Sequence, residues 1–132
     1  MKTKFRKMDK KTKCLVVDDE KHFLLYLKIL FEHNGYEVFS SLNVDDAMNI
    51  VKTEKIEFIV SDINMPKKDG FQLLLELKGN DDTRNIPVLF VSNDDGGDII
   101  SRVMKMGAVG FMRKPLLQHH LKKVSEMIAH QN

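Results

Sequence analysis

Several apolar runs in this sequence end on residues that carry a charge or a hydroxyl group. Asp18 and Asp19 come directly after the run CLVV, and Asp62 comes directly after FIVS. Ser92 ends the run LFVS, and Lys114 follows the segment VGFMR. Taken singly, acids and serines at such places usually cap a turn or a helix. A combined set of three carboxylates, a hydroxyl and an ammonium is more than capping explains.

These groups together suit phosphoryl transfer assisted by a divalent cation. Packed carboxylates repel one another unless a cation neutralises them. Mg²⁺ prefers oxygen ligands, so Asp19 and Asp62 are candidate direct ligands and Asp18 a direct or water-mediated one. One carboxylate could also act as the nucleophile and form an aspartyl phosphate. Mg²⁺, Lys114 and Ser92 would then share the charge on the phosphoryl oxygens.

Five apolar segments alternate with five amphipathic ones along the chain. The alternation predicts an α/β fold in which a five-stranded parallel sheet, (βα)5 and doubly wound, carries helices on both faces. Right-handed crossovers then place the carboxyl ends of all strands at one edge, where the charged residues meet. The predicted strands are 14–18, 36–40, 57–61, 87–92 and 109–112, and the predicted helices lie near 21–33, 44–54, 70–79, 97–106 and 116–129.

The bulk composition is that of one globular domain. The chain has 132 residues, of which 42% are apolar and 30% charged. The longest apolar run, FLLYL, is far too short to span a membrane, and the N-terminus lacks the apolar stretch of a secretory signal. We therefore expect a cytoplasmic location without membrane insertion. The single cysteine, Cys14, is expected to be buried, and its count excludes a disulfide framework or a cysteine-based zinc site.

Positive charge is concentrated at the N-terminus. Residues 1–13 contain seven Lys or Arg and one Asp, a formal charge of +6, so the rest of the chain carries −4 of the total +2. We predict a basic extension over residues 1–12 and a folded domain over residues 13–130. The acidic domain argues against direct binding of nucleic acid, since phosphate contacts dominate that affinity.

The domain resembles a receiver domain of two-component response regulators, over about residues 13–130. The resemblance implies a flavodoxin-like sheet with strand order 2-1-3-4-5. The segments that carry it are VVDDE at 16–20, SDINMPKKDG at 61–70, LFVSN at 89–93 and FMRKP at 111–115.

The resemblance assigns a role to each acidic residue. Asp62 resembles the phosphoacceptor. Asp18 and Asp19 resemble the acidic pair that holds Mg²⁺, or Mn²⁺ as an alternative ion, together with Asp62 and the backbone carbonyl of Asn64. Asn64 and Asp94 also match positions that border the phosphoryl group and influence how readily water attacks it.

The same resemblance implies a conformational switch. Ser92 resembles the hydroxyl that binds the phosphoryl group and reorients, and Lys114 resembles the phosphate-binding lysine. The bond from Lys114 to Pro115 is expected to be cis, as is usual in the family. Phe111 resembles the aromatic residue that turns inward on activation, although it lacks the hydroxyl of the tyrosine found in many relatives. A plain core phenylalanine is the alternative for Phe111.

The first predicted helix offers a candidate docking patch. With Phe23 and Leu27 among the residues that face the core, Leu25 and Ile29 fall on the far side of the helix. In the family this helix often contacts the helical bundle of the phosphodonor. Scattered exposed apolar residues are also normal on protein surfaces, which is the alternative for this pair.

We therefore predict a single-domain receiver that accepts a phosphoryl group on Asp62 from a histidine kinase or a histidine phosphotransfer protein. It would catalyse only its own phosphorylation and dephosphorylation, and is otherwise not an enzyme. Its output would be onward phosphotransfer or a protein contact through the face formed by the fourth helix, fifth strand and fifth helix, as a monomer or a phosphorylation-dependent dimer. The alternative is a receiver fragment of a larger response regulator or hybrid kinase.

Two other functions on related architectures fit the residues less well. A phosphatase of the haloacid-dehalogenase type needs a second aspartate two residues after the nucleophile, where this chain has Asn64. A flavin-binding module needs a loop rich in hydroxyl groups and glycine after the first strand. This chain has Asp-Asp-Glu there, which would repel a phosphate when no metal is present.

Overall fold

The structure, a computed structural model, describes residues 10–94 and 96–129. Most of the predicted basic extension, residues 1–9, lies outside the described residues, and so does the last residue of the predicted domain, His130. The strands β1 to β5 span Lys13–Val17, Glu37–Ser41, Phe58–Ser61, Val88–Ser92 and Gly110–Arg113. The helices α1 to α5 span Lys21–His33, Val44–Thr53, Gly70–Lys78, Gly97–Lys105 and Leu121–Ala129.

The five strands form one parallel sheet in the order β2-β1-β3-β4-β5. This confirms the predicted doubly wound fold and its strand order. The order reverses beside β1, so the carboxyl ends of β1 and β3 lie next to each other at the switch point, where ligands bind in such sheets.

Both faces of the central strands are buried, which explains their continuous apolar sequence. Successive side chains of a strand point to opposite faces. In β1, Leu15 and Val17 join the core beneath α2, α3 and α4, whereas Cys14 and Val16 join the core beneath α1 and α5. A strand that is covered on both sides favours apolar residues along its length, and the buried polar residues Ser61 and Ser92 stand at the ends of β3 and β4. The first polar residue after β1 is Asp18, at the edge where the strand ends.

The last helix begins later than predicted. The pattern from residue 116 suggested one continuous helix, but α5 starts at Leu121 after a short 3₁₀ turn at Gln118–His120. The carbonyl of Leu116 accepts a hydrogen bond from the Tyr26 hydroxyl, and Leu117 is extended. The His120 amide donates to the Leu117 carbonyl instead, which gives the turn its tighter spacing.

Cys14 gives a direct test of how well the centre of the sheet is closed. The residue is fully buried, and burial followed by the charge of Glu32 raises the pKa of its thiol to about 12. We expect the native protein to resist a thiol reagent at neutral pH, because only the thiolate reacts. A colorimetric thiol assay checks this, with the same protein in denaturant as the reactive control. Rapid modification under native conditions would contradict the buried placement.

The helices within residues 10–94 and 96–129 include none that is both long and apolar enough to cross a membrane.

Candidate functional site

Three aspartates meet at the carboxyl ends of β1 and β3. Asp62 continues the pairing of these strands, because its amide donates to the Val17 carbonyl at 2.9 Å. Asp18 and Asp62 are buried, whereas Asp19 is exposed. Each of the three offers a carboxylate oxygen, and these oxygens lie within 4.8 Å of one another. The structure thus brings together the acidic residues that the sequence placed at one sheet edge.

Lys114 reaches the same point from β5, on the other side of β4. Its ammonium Nζ lies 2.8 Å from Asp18 Oδ2 and 3.3 Å from Asp62 Oδ2. Its backbone amide donates to the Ser92 carbonyl at 3.1 Å, which extends the pairing of β4 with β5 by one residue. The peptide bond from Lys114 to Pro115 is cis. The lysine therefore joins Asp18 and Asp62 in the cleft, although β4 separates β5 from β3 in the sheet.

The charges in this cleft are not balanced. Burial raises the pKa of Asp18, and the contacts with Lys114 and the Glu20 amide oppose that rise without cancelling it. Burial alone would lower the pKa of Lys114, but its contacts with Asp18 and Asp62 outweigh burial and raise it. Both pKa values are therefore raised, but for different reasons. Desolvation dominates for Asp18, because a single ammonium that it shares with Asp62 does not offset the burial, whereas the contacts with two carboxylates dominate for Lys114.

The cleft fits a hard divalent cation. Asp18 Oδ2 is buried, and its contact among the described residues is an ion pair with the Lys114 ammonium at 2.8 Å rather than a well-formed hydrogen bond. Three carboxylates face one ammonium, so the cleft has an excess of negative charge, and the side-chain atoms that carry it are all oxygens. This is the donor set that Mg²⁺ and Mn²⁺ prefer. The residues that would hold the ion are the three aspartates, with the Asn64 carbonyl as the further ligand that the resemblance implies.

Ser92 and the two loop residues Asn64 and Asp94 lie beside this cluster. Ser92 is buried at the end of β4, and its hydroxyl oxygen accepts a hydrogen bond from the Asp94 amide at 3.2 Å. The Asn64 amide group donates a long 3.5 Å hydrogen bond to Asp94 Oδ2. The two loops that border the cleft are therefore linked. The sequence does not reveal this contact, because the two residues are 30 positions apart.

Phe111 is half-buried on β5. It pairs with Phe90 of β4 in the sheet register and packs against the core beneath α2, α3 and α4. This placement accommodates both the aromatic switch and the plain core residue, so the switch role stays a prediction.

Leu25 and Ile29 lie on the solvent side of α1, with 55% and 56% of their surfaces exposed. Leu25 also borders a groove between α1 and α2, where Leu42 is the other exposed large apolar side chain. Two exposed apolar residues one helical turn apart form a continuous patch, and its use for docking stays a prediction.

The start of α1 contains two features of the site. Glu20 is the N-cap, since its carboxylate accepts the amides of His22 and Phe23. Phe23, which the helical pattern assigned to the core, is only half-buried, and its ring lies under the Lys114 ammonium. The pattern places Phe23 on the inner face of α1 but gives no sign that a cation lies there.

Gly70 is where the loop after Asp62 returns to the sheet. A β-carbon at this position would lie 2.8 Å from the Asp62 carbonyl oxygen, the Ile63 α-carbon and a Phe90 ring carbon. We expect Gly70→Ala to destabilise the protein by about 2–3 kcal/mol, since two of these atoms are backbone and cannot yield easily. Urea denaturation measures the change. Gly97→Ala is the matched control, because its β-carbon meets no atom within 4 Å, and equal stability of both variants would contradict the close packing.

Comparison with known proteins finds relatives of this chain. The sequence profile of the response regulator receiver domain matches residues 14–126. The two-component response regulator ORR21 of Oryza sativa subsp. japonica is 33% identical over 114 residues, which are 85% of this chain and 16% of that protein. Sporulation initiation phosphotransferase F of Bacillus subtilis (strain 168) is 30% identical over 103 residues, which are 78% of this chain and 82% of that protein.

Solved structures agree with the sequence matches. A crystal structure of a response regulator receiver domain protein from Clostridium thermocellum has a TM-score of 0.78 and 29% identity, covering 91% of this chain and 93% of that one. The plant proteins among the relatives are much longer, and this chain spans 16% to 23% of their length.

Proposed function

Because the chain belongs to the response regulator receiver domain family, we propose that it is a phosphorylation switch in which Asp62 accepts the phosphoryl group. The observation that supports this most strongly is the convergence of Lys114 with Asp18 and Asp62, at 2.8 Å and 3.3 Å. A cap or a surface ion pair would not bring residues from β1, β3 and β5 to one point. A site that stabilises an anionic phosphoryl group needs both its metal ligands and its cation there.

The phosphodonor is a phosphohistidine on a histidine kinase or a histidine phosphotransfer protein. An oxygen of the Asp62 carboxylate attacks the phosphorus atom, and the new oxygen–phosphorus bond forms as the phosphorus–nitrogen bond breaks. The imidazole nitrogen leaves with the electron pair of that bond and takes up a proton. Mg²⁺ supplies charge neutralisation among the carboxylates when it is bound.

The residues of this chain position the transferred group. Lys114 moves from the carboxylate to a phosphoryl oxygen. The Ser92 hydroxyl leaves the Asp94 amide and donates to another phosphoryl oxygen. These two contacts exist only after phosphorylation, so they bias the chain towards a second conformation. Phe111 lies in β5, two residues before Arg113, which pairs with Ser92 in the sheet register. Its ring would become more buried as the Ser92 hydroxyl moves. The consequence is a changed α4–β5–α5 surface for a downstream protein.

The exposed pair Leu25 and Ile29 would dock the phosphodonor protein. The patch lies on α1, whose first turn borders the acidic cleft, so a helical partner that packs there would bring its histidine close to Asp62. We assign the cytoplasm as the location, and a monomer or a phosphorylation-dependent dimer as the assembly. The same site would serve a single-domain receiver or a receiver within a longer response regulator or hybrid kinase.

Asn64 and Asp94 would set how long the phosphoryl group persists. Both are exposed and polar, and their mutual hydrogen bond places them together at the edge of the cleft. Polar groups there admit and orient water, so we expect a phosphorylated state of ordinary rather than extended lifetime. Outside its own phosphorylation and dephosphorylation, the chain would not act as an enzyme.

Intact-protein mass spectrometry with acetyl phosphate as the phosphodonor tests this function. We expect one phosphoryl group per chain in Mg²⁺ and none when a chelator replaces the metal. Borohydride reduction of the acyl phosphate followed by peptide mapping should locate it at Asp62. Multiple turnover of phosphoesters without a labelled intermediate would favour a phosphatase, and labelling that ignores the metal would overturn the proposal.

A further inference from the structure

Two aromatic residues of α1 connect that helix to Lys114 and to the loop that follows it. The Lys114 ammonium lies over the Phe23 ring, 4.4 Å from the ring centroid. The Phe23 ring is stacked on Tyr26, with centroids 5.7 Å apart and an interplanar angle of 29°. The Tyr26 hydroxyl donates a 2.5 Å hydrogen bond to the Leu116 carbonyl. The pair thus contacts the loop at Lys114 itself and again two residues beyond.

We propose that Phe23 is a positioning residue for phosphoryl transfer, and that its ring holds the Lys114 ammonium over the phosphoacceptor cleft. The catalytic part of this inference rests on the proposed function of Asp62. The contact between the ring and the ammonium does not depend on that function, which allows the two to be tested separately.

An aromatic ring suits this position better than a charged or an aliphatic side chain. An ammonium has three N–H donors, and the carboxylates of Asp18 and Asp62 face it from two directions. A further carboxylate would add repulsion to a cleft that already has an excess of negative charge. The face of a phenyl ring attracts a cation without carrying a charge, and it also excludes water from that side.

The burial of Lys114 makes the contact with the ring effective. Only 12% of the Lys114 side chain is exposed, and cation–π attraction strengthens as the cation loses its water. When a phosphoryl group joins Asp62, the ammonium has to turn from the carboxylate to a phosphoryl oxygen. A ring has no single preferred hydrogen-bond direction, so the ammonium can turn while it stays at the same end of the cleft.

Tyr26 fixes the backbone from which Lys114 extends. Its hydrogen bond to the Leu116 carbonyl ties the loop after β5 to α1. Its stacking on Phe23 restrains the ring that lies beneath the ammonium. Positioned groups speed a reaction because they need little rearrangement when charge develops, and here the ammonium only has to turn at its place in the cleft.

The ring contact has a spectroscopic signature in the metal-free protein. Protons on the Lys114 ε-carbon should be shifted upfield by the ring current of Phe23, and Lys114→Met identifies their signal. We expect Phe23→Leu to abolish the shift and Phe23→Tyr to retain it. An ordinary lysine shift in the wild type would overturn the inference without any measurement of phosphorylation.

The kinetic test is the rate of phosphorylation by acetyl phosphate at saturating Mg²⁺. We expect Phe23→Leu to slow it roughly 2- to 30-fold, the factor that corresponds to a cation–π contact. Phe23→Tyr keeps the ring and should restore the rate. In the Lys114→Met background, Phe23→Leu should change the rate by less than about 2-fold, because the partner of the ring is gone.

The outcomes separate this inference from the proposed function. Phe23→Tyr as slow as Phe23→Leu, or an equal loss with and without Lys114, would overturn the positioning role while the wild type is still phosphorylated. A wild type that shows the upfield lysine signal but accepts no phosphoryl group would support the contact and overturn the role of Asp62. Circular dichroism of each variant confirms that it is folded.

Discussion

Asp62→Asn is expected to abolish the uptake of a phosphoryl group from acetyl phosphate. The amide that replaces the carboxylate is neutral and far less nucleophilic, so the bond to phosphorus does not form. The change is nearly isosteric, and Asp62 Oδ1, which accepts the Ile63 amide at 2.7 Å, is replaced by an amide oxygen that can do the same. We therefore expect a folded protein without phosphorylation, measured by intact mass after incubation with Mg²⁺.

Asp82→Asn is the matched control for this change. Asp82 is exposed in the turns after α3, on the amino-terminal side of β4, and it is not part of the acidic cluster. Its replacement removes the same charge from the chain and should leave phosphorylation unaltered. If Asp62→Asn were labelled as fully as the wild type, another residue would be the acceptor and the proposed function would fail.

The fold follows from sequence because each of its requirements leaves a mark on residue order. Strands covered on both faces are largely apolar, and in β1, β3 and β4 the polar residues Lys13, Ser61 and Ser92 stand only at strand ends. Helices between them show an apolar stripe and a polar cap, such as Asp69 before α3. The start of α5 was missed because it depends on a distant residue, since Tyr26 removes the Leu116 carbonyl from the helix.

The site is predictable from sequence only as far as strand ends determine it. Asp18, Asp62 and Lys114 had to converge once the order of the sheet was known, because parallel strands share one carboxyl edge. The hydrogen bond between Asn64 and Asp94 depends on loop conformations that have no period in sequence. The contact between the Phe23 ring and Lys114 is predictable only in part. The helical pattern places Phe23 on the inner face of α1, but it does not show that Lys114 lies against that face.

Lys114→Met is expected to destabilise the metal-free protein by roughly 3 kcal/mol, the lower end of the range for a broken buried ion pair. The methionine keeps the length and most of the packing of the side chain while the ammonium is lost. Asp18, fully buried, then faces Asp62 without a cation. The raised pKa of Asp18 eases the uptake of a proton, which limits the loss. Urea denaturation in the presence of a chelator measures it.

Mg²⁺ should stabilise the Lys114→Met variant more than the wild type. A ligand that binds only the folded state adds stability that grows with its concentration relative to its dissociation constant, about 2.7 kcal/mol at a hundredfold excess. In the wild type the ammonium forms ion pairs with Asp18 Oδ2 and Asp62 Oδ2, so a divalent cation at these oxygens has to compete with a positive charge already beside them. Without the ammonium the same oxygens are free to bind the metal, so its affinity rises.

Lys68→Met separates this effect from a general loss of positive charge. Lys68 forms ion pairs with Asp45 and Glu76 at the surface, where water and salt screen such pairs and they add little to stability. Its removal should leave the response to Mg²⁺ unchanged. An equal response of Lys114→Met and the wild type would mean that the lysine and the metal use different oxygens. A larger response of Lys114→Met would mean that the lysine and the metal share the oxygens of Asp18 and Asp62, with Lys114 as the cation of the metal-free cleft.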